Sequence, residues 1–183
     1  VPKGGPYKIP ATSDTFLRAP YLQRATPTSV DVIWRSPKAV AKPVVRFGAT
    51  AEALDRTVEG SAIELRRVAE EGGGDDPLHA APAGACQYEA RVTGLAPDTK
   101  YFYAVFDGDT PLAAADASRH FRSLPTPGTA RDCTFWIVGD SGTGQRPQKA
   151  VHTAARNLFL KDTPTPDIYT HVGDMAYNNG KDL

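Results

Sequence analysis

Two aspartates and a tyrosine stand where a metal site could form. Asp140 and Asp174 each follow a glycine at the end of an apolar run, and Tyr177 comes three residues after the second aspartate. Two carboxylates at one place repel each other unless a positive charge lies between them, which a divalent or trivalent metal ion supplies. A phenol titrates at about pH 10 in water, so Tyr177 would bind as phenolate only beside a strongly Lewis-acidic cation. The three residues therefore predict a site for a highly charged metal ion.

Both aspartates are predicted to lie at the same edge of a parallel sheet. Residues 133–138 (Cys-Thr-Phe-Trp-Ile-Val) are nearly all apolar, which is typical of a strand covered on both faces. Pro147 suits the first turn of a helix, Pro164 and Pro166 end it, and residues 167–172 form a second strand. A right-handed strand–helix–strand unit brings both strands' carboxyl ends to one edge. The predicted apolar stripe of the helix is Val151, Ala154, Ala155, Leu158 and Phe159.

The first part of the chain is predicted to form an antiparallel β-sandwich. Short runs with apolar and polar residues in alternation are separated by turn-rich segments. Val30, Val32 and Trp34 share one face of the first run. The acidic, glycine-rich residues 70–77 are predicted to form a mobile loop. The runs are residues 29–35, 44–47, 62–68, 87–92, 101–106 and 119–124.

Residues 94–103 (Gly-Leu-Ala-Pro-Asp-Thr-Lys-Tyr-Phe-Tyr) carry a tyrosine-corner pattern. The pattern resembles the turn of fibronectin type III-like sandwiches in which a tyrosine hydroxyl bonds back to the backbone. Tyr101, Tyr103 and Val105 share one face of the strand and should point into the core. The hydroxyl of Tyr101 is expected to bond backbone near Leu95.

Composition excludes several classes of protein. Lys and Arg total 21, as do Asp and Glu, so no polyanion-binding surface and no nucleic-acid partner is predicted. No apolar run approaches the roughly 18 residues that a membrane helix needs. Cys86 and Cys133 are neither a disulfide framework nor a zinc site; they either pair or are small buried hydrophobic residues.

Three segments resemble the purple acid phosphatases, members of the calcineurin-like metallophosphoesterases. Residues 139–142 (Gly-Asp-Ser-Gly) and 173–177 (Gly-Asp-Met-Ala-Tyr) resemble that family's first two metal-binding motifs, Gly-Asp-x-Gly and Gly-Asp-x-x-Tyr. Residues 17–23 (Leu-Arg-Ala-Pro-Tyr-Leu-Gln) resemble the start of the fibronectin-like module that larger members carry before the catalytic domain. The resemblance implies a fibronectin type III-like β-sandwich followed by the first βαβ unit of an α/β metallophosphoesterase domain.

The predicted domain boundaries follow from these elements. An N-terminal arm covers residues 1–16, the sandwich residues 17–125 and a linker residues 126–131. The incomplete front part of the catalytic domain covers residues 132–183. Its remainder is expected beyond Leu183.

The resemblance also implies a role for each candidate residue. Asp140 would bind Fe(III), Asp174 would bridge Fe(III) and a second divalent metal (Fe, Zn or Mn), and Tyr177 would bind Fe(III) and give the purple colour. The implied activity is that of a dimetal acid phosphatase, which hydrolyses phosphate monoesters through a metal-bound hydroxide. The family's remaining ligands, an Asn and three His, are expected beyond Leu183, so the chain alone is expected to be inactive. Asn178 and Asn179 stand where many members have Ala-Asp.

The start of the chain bears on its location. Val1 rather than Met opens the sequence, as removal of a signal peptide would leave it. Together with the usual location of the family that the chain resembles, this start predicts a secreted or periplasmic protein.

Other readings of the same residues are open. Ser141 could be the nucleophile of a serine esterase, or the glycine-rich turn could hold a nucleotide phosphate at the helix N-terminus. The whole chain could instead be a cell-surface adhesion or binding module without catalysis. His171, within the second strand, is interpreted as a core histidine or one that supports a ligand. His79, His120 and His152 match no motif.

Overall fold

The chain divides into two units of different architecture. By backbone contacts the boundary lies between Thr129 and Ala130. The described residues contain eleven strands and one α-helix. The computed structural model describes residues 15–63, 84–113, 118–142, 146–161 and 166–175.

The first unit contains two antiparallel sheets. Its strands are β1 (Arg18–Gln23), β2 (Ser29–Ser36), β3 (Pro43–Gly48), β4 (Arg56–Glu59), β5 (Ser61–Ile63), β6 (Cys86–Thr93), β7 (Lys100–Asp107), β8 (Thr110–Ala113) and β9 (His120–Arg122). One sheet has the order β1-β2-β6-β5. The other has the order β4-β3-β7-β8, and β9 also pairs with β7. The alternating runs thus predicted β2, β3, β6, β7 and β9, and the start of the run at 62–68 overlaps β5. Strands β1, β4 and β8 were not predicted.

The two sheets share one hydrophobic core. Trp34 is fully buried and stacks on Tyr88, with the ring centroids 5.4 Å apart. Burial of such aromatic side chains supplies much of the free energy that holds a sandwich together. The buried core comprises Val30, Val32, Trp34, Val45, Phe47, Tyr88, Ala90, Val92, Leu95, Tyr101, Tyr103, Val105 and Phe121.

Strand β2 is buried on its other face as well. Asp31 lies there and is completely buried. Its carboxylate accepts hydrogen bonds from the guanidinium groups of Arg24 and Arg91, the latter at 2.7 Å. Arg91 also donates to Ser29 Oγ at 2.7 Å. A buried carboxylate is tolerated because cationic donors satisfy it, so this network ties together β2, β6 and the residue that follows β1.

The tyrosine corner is present as predicted. Tyr101 is buried, and its hydroxyl accepts a hydrogen bond of 2.9 Å from the backbone N–H of Ala96, next to Leu95. Ser123, which the sequence pattern did not single out, donates to the carbonyl of Ala96 at 2.6 Å. The turn before β7 is therefore held from both sides.

The second unit is a parallel pair of strands joined by a helix. Strand β10 (Phe135–Val138) pairs with β11 (Ile168–His171), and α1 (Arg146–Lys161) lies between them in sequence. The indole of Trp136 contacts the helix. Its ring centroid lies 5.9 Å from that of His152, 5.4 Å from Phe159 and 5.3 Å from Tyr169 on β11.

The predicted apolar stripe of the helix is partly wrong. Val151 and Leu158 are 64% and 54% exposed. Phe159 belongs to the predicted stripe and contacts Trp136 of the sheet edge-on, whereas His152 was not predicted and stacks on the same ring. The two residues lie two helical turns apart on one face, so His152 rather than Val151 faces the sheet.

The prediction that the first strand is covered on both faces is not met within the described residues. The side chains of Phe135 and Ile137 are 52% and 62% exposed, whereas Trp136 between them faces the helix. The prediction for the cysteines is also wrong: both thiols are free, Cys86 is half-buried and Cys133 is exposed.

Two further expectations lie partly or wholly outside the described residues. The glycine-rich loop at 70–77 is outside them, as is most of the run at 62–68. In the part of the chain that the structure describes, no helix has the length and apolar character needed to cross a membrane.

Tyr101→Phe should destabilise the first unit. The substitution leaves the Ala96 N–H without its buried acceptor, which costs on the order of 1–3 kcal/mol. Chemical denaturation measures the loss. Tyr21→Phe is the control, because no hydrogen bond of the Tyr21 hydroxyl is found among the described residues, and it should cost less than about 0.5 kcal/mol. Equal costs for the two variants would contradict the role of the corner.

Acid should weaken the second unit through His152. Burial lowers the pKa of His152, and the neighbouring positive charge of Arg156 adds to the effect. A lowered pKa means that the folded state binds the proton less readily than the unfolded state. The stabilisation is therefore present above the unfolded value of about 6.5 and is lost as the pH falls through the folded pKa.

The measurement is the free energy of unfolding of α1, followed by circular dichroism, between about pH 8 and about pH 5. His152→Phe keeps a ring against Trp136 but cannot be protonated. Relative to this variant, the wild-type protein should lose stability as the pH falls. Parallel pH profiles for the two proteins would show that His152 is not responsible.

Candidate functional site

The turns that follow the two parallel strands lie side by side. Val138 is paired with His171, so β10 and β11 end at the same level. Beyond them the backbone N–H of Asp140 donates to the carbonyl of Gly173 at 3.0 Å, and Gly142 N–H donates to the carbonyl of Asp174 at 3.0 Å. Both candidate aspartates thus stand at one edge of the sheet, on turns that are bonded to each other.

Both aspartates adopt a left-handed backbone. The φ angle is 53° at Asp140 and 49° at Asp174, and it is 141° at Gly173 between the strand and the second aspartate. Residues other than glycine visit this region at a cost of about 1–2 kcal/mol, although aspartate tolerates it better than most. Unfavourable backbone geometry of this kind collects at functional sites, where surrounding bonds hold it in place.

The two carboxylate side chains are exposed, while the residues that support them are half-buried. Asp140 and Asp174 are both accessible to solvent, whereas Ser141 and His171 are half-buried. Exposed oxygen donors on neighbouring turns suit a hard cation, which prefers carboxylates. The donor chemistry of the two aspartates therefore fits the metal that the sequence predicts.

The two aspartates are only part of a metal site. No group of three His, Cys, Asp or Glu side chains able to hold a metal ion occurs among the described residues. Tyr177, the third predicted ligand, lies outside them, as do Asn178 and Asn179. Its role stays a prediction.

Ser141 and His171 form a contact that the sequence analysis missed. Ser141 Oγ lies 2.7 Å from His171 Nε2, and the backbone N–H of Gly173 donates to His171 Nδ1 over a long 3.4 Å. In the neutral tautomer that fits the Gly173 contact, Nδ1 accepts and Nε2 carries the proton that is donated to the serine. A general base must accept the serine proton instead, so this arrangement does not favour Ser141 as an activated nucleophile.

The other described histidines contact aromatic rings. His120 is on β9 in the first unit and contacts Phe102. His152 stacks on Trp136 at the helix, and His79 lies outside the described residues.

Gly173→Ala should destabilise the second unit. A Cβ at this position meets no atom within 4 Å, so the whole cost comes from the backbone angle, about 1–3 kcal/mol. Gly139→Ala is the control: its Cβ meets only the Val172 Cγ2 at 3.2 Å, on an exposed side chain that can move. The helix signal in thermal unfolding measures both. A larger loss at Gly139 would contradict the importance of the φ angle at Gly173.

Comparisons with known proteins agree with these observations. Residues 19–123 match the family model of the purple acid phosphatase N-terminal domain. Purple acid phosphatase 15 of Arabidopsis thaliana is 26% identical over 137 residues, which cover 74% of this chain and 23% of that protein. The solved purple acid phosphatase PPD1 from yellow lupin (Lupinus luteus) seeds is 22% identical and covers 88% of this chain and 30% of its own, with a TM-score of 0.57.

The lupin match is a likeness of fold. The chain spans roughly a quarter to a third of the length of these two relatives. The family match covers more than half of the chain, including all nine strands of the first unit except the edge of β1. The chain therefore belongs to the purple acid phosphatase family and contains that family's N-terminal domain.

Proposed function

We propose that this chain is the front part of a dimetal acid phosphatase that hydrolyses phosphate monoesters. The observation that carries the proposal is the pairing of the Asp140 and Asp174 turns by two backbone hydrogen bonds at one edge of a parallel sheet. Membership of the purple acid phosphatase family supports the same activity. The location that is usual for members of this family supports a secreted or periplasmic protein.

The proposed domains are those expected from the sequence. Residues 1–16 form an arm, residues 17–125 a fibronectin type III-like sandwich, residues 126–131 a linker, and residues 132–183 the first βαβ unit of a metallophosphoesterase domain. The contact boundary at Thr129 falls inside the proposed linker and supports this division.

The open face of the second unit supports the proposal that more of a catalytic domain packs there. Phe135 and Ile137 are exposed on the face opposite the helix. A two-stranded sheet cannot by itself enclose a core, and exposed apolar side chains of this size are costly in water. In the proposed intact enzyme, further strands of the catalytic domain cover this face.

The proposed ligands have distinct tasks. Asp140 and Tyr177 would hold Fe(III), and Asp174 would bridge it to a second divalent ion, Fe, Zn or Mn. When bound, the two metals supply Lewis-acid polarisation of the phosphoryl group. The chain itself orients the carboxylates: the bonds from Asp140 N–H and Gly142 N–H keep the two turns at a fixed spacing, which loose loops could not do.

Substitution of the ligands tests the proposal in the intact protein, with all residues that follow Leu183. Asp174→Asn should lose both metals, because the bridging charge is removed. Tyr177→Phe should lose the visible absorption but keep part of the metal, because the carboxylates stay. The measurements are elemental analysis, the visible spectrum and hydrolysis of an aryl phosphate at mildly acid pH.

Asp109→Asn is the matched control. It removes the same charge from an exposed aspartate whose partner is Arg46 in the first unit, and it should leave metal content and activity unchanged. An intact wild-type protein that binds no iron and hydrolyses no phosphate ester would refute the proposal in favour of a binding module without catalysis.

A further inference from the structure

One side-chain contact between the two turns has no part in the metal ligation proposed above. Ser141 lies in the turn after β10 and His171 ends β11, 30 positions along the chain. Their Oγ–Nε2 distance of 2.7 Å is that of a strong hydrogen bond. Both residues are half-buried, so solvent competes less for this bond than for a bond on the surface.

The contact with Gly173 favours His171 as the donor of this bond. The backbone N–H of Gly173 can only donate, and its acceptor is His171 Nδ1 at 3.4 Å. In the neutral tautomer that fits this contact the proton is on Nε2, which donates to Ser141 Oγ. In either direction the hydrogen bond links the two turns.

This link complements the two backbone bonds. Asp140 and Gly142 are bonded to residues 173 and 174 through their N–H groups. These two bonds define a line about which the turn could still rotate. The Ser141 side chain is bonded to His171, which is not one of the two backbone acceptors. This third hydrogen bond restricts the rotation that the two backbone bonds alone would allow.

We propose that His171 is a positioning residue, whose hydrogen bond to Ser141 fixes the turn that carries Asp140 relative to Asp174. The effect of this bond on metal affinity rests on the proposed metal site, whereas the hydrogen bond between the turns is independent of that site. Partners that orient a metal ligand are commonly worth 10- to 100-fold in metal affinity, and this range is the loss expected here.

Four variants of the intact protein separate the contributions. His171→Phe keeps a ring but removes the donor, and Ser141→Ala removes the acceptor. His171→Gln retains an N–H donor at a similar distance from the backbone. It should restore most of the slow exchange and iron affinity that His171→Phe loses. Tyr169→Phe is the control: it keeps the ring that contacts Trp136 and His171 and removes only a hydroxyl, so it should change nothing.

The first readout needs no metal. Hydrogen exchange at the backbone N–H of Gly142, which donates to Asp174, should accelerate roughly five- to tenfold in His171→Phe and in Ser141→Ala, as expected for loss of one hydrogen bond. The double variant should be no faster than either single one, because both remove the same bond.

The second readout is iron binding. Iron titration followed at the visible absorption band should show affinity reduced by about 10- to 100-fold in both single variants and recovered in His171→Gln. Unchanged exchange at Gly142, or faster exchange with unchanged iron affinity, would overturn the positioning role while leaving the phosphatase proposal intact. If the wild-type protein binds no iron, the phosphatase proposal fails and the positioning role fails with it.

Discussion

The parallel pairing of β10 with β11 is the constraint on which the candidate site depends. The register that places Val138 beside His171 ends both strands at one level. The chain can then continue the pairing past the strands, with Val172 N–H donating to the carbonyl of Val138 at 2.9 Å and Asp140 N–H to that of Gly173. A shift by one residue would exchange the faces of the strands and separate the two aspartates. The register of the two strands therefore sets the position of the candidate site.

The two units differ in how their sheets are covered. Trp136 contacts three aromatic rings, two on α1 and one on β11. Its neighbours in the strand, Phe135 and Ile137, lie on the opposite face of the sheet, which is exposed in the described residues. The second unit therefore has one packed face and one open face. The first unit closes its own core between two sheets around Trp34 and ties its outer face through Asp31. The sandwich encloses a core of its own, whereas the two strands and one helix described in the second unit leave one sheet face uncovered.

Much of this organisation could be predicted from the sequence, because strong local signals were present. The apolar run before Asp140 and the prolines around the helix predicted the βαβ order, and the tyrosine-corner pattern predicted the bond of Tyr101. The position of His152 at the sheet was missed because hydrophobicity alone ranks Val151 above His152, whereas it is the His152 ring that stacks on Trp136. Burial of Asp31 was missed for a similar reason: two arginines compensate a charge that an alternation pattern assigns to solvent.

The features of the site that could not be predicted are those that need register and backbone angles. Ser141 and His171 are far apart in sequence, and only the pairing of the strands brings them within hydrogen-bonding distance. Likewise, aspartate favours many turns, but nothing local requires a left-handed angle at both Asp140 and Asp174. Such angles are costly, and their occurrence at equivalent points of two turns means that tertiary bonds impose them. The backbone bonds between the two turns hold both aspartates at one edge of the sheet, with both residues exposed to solvent.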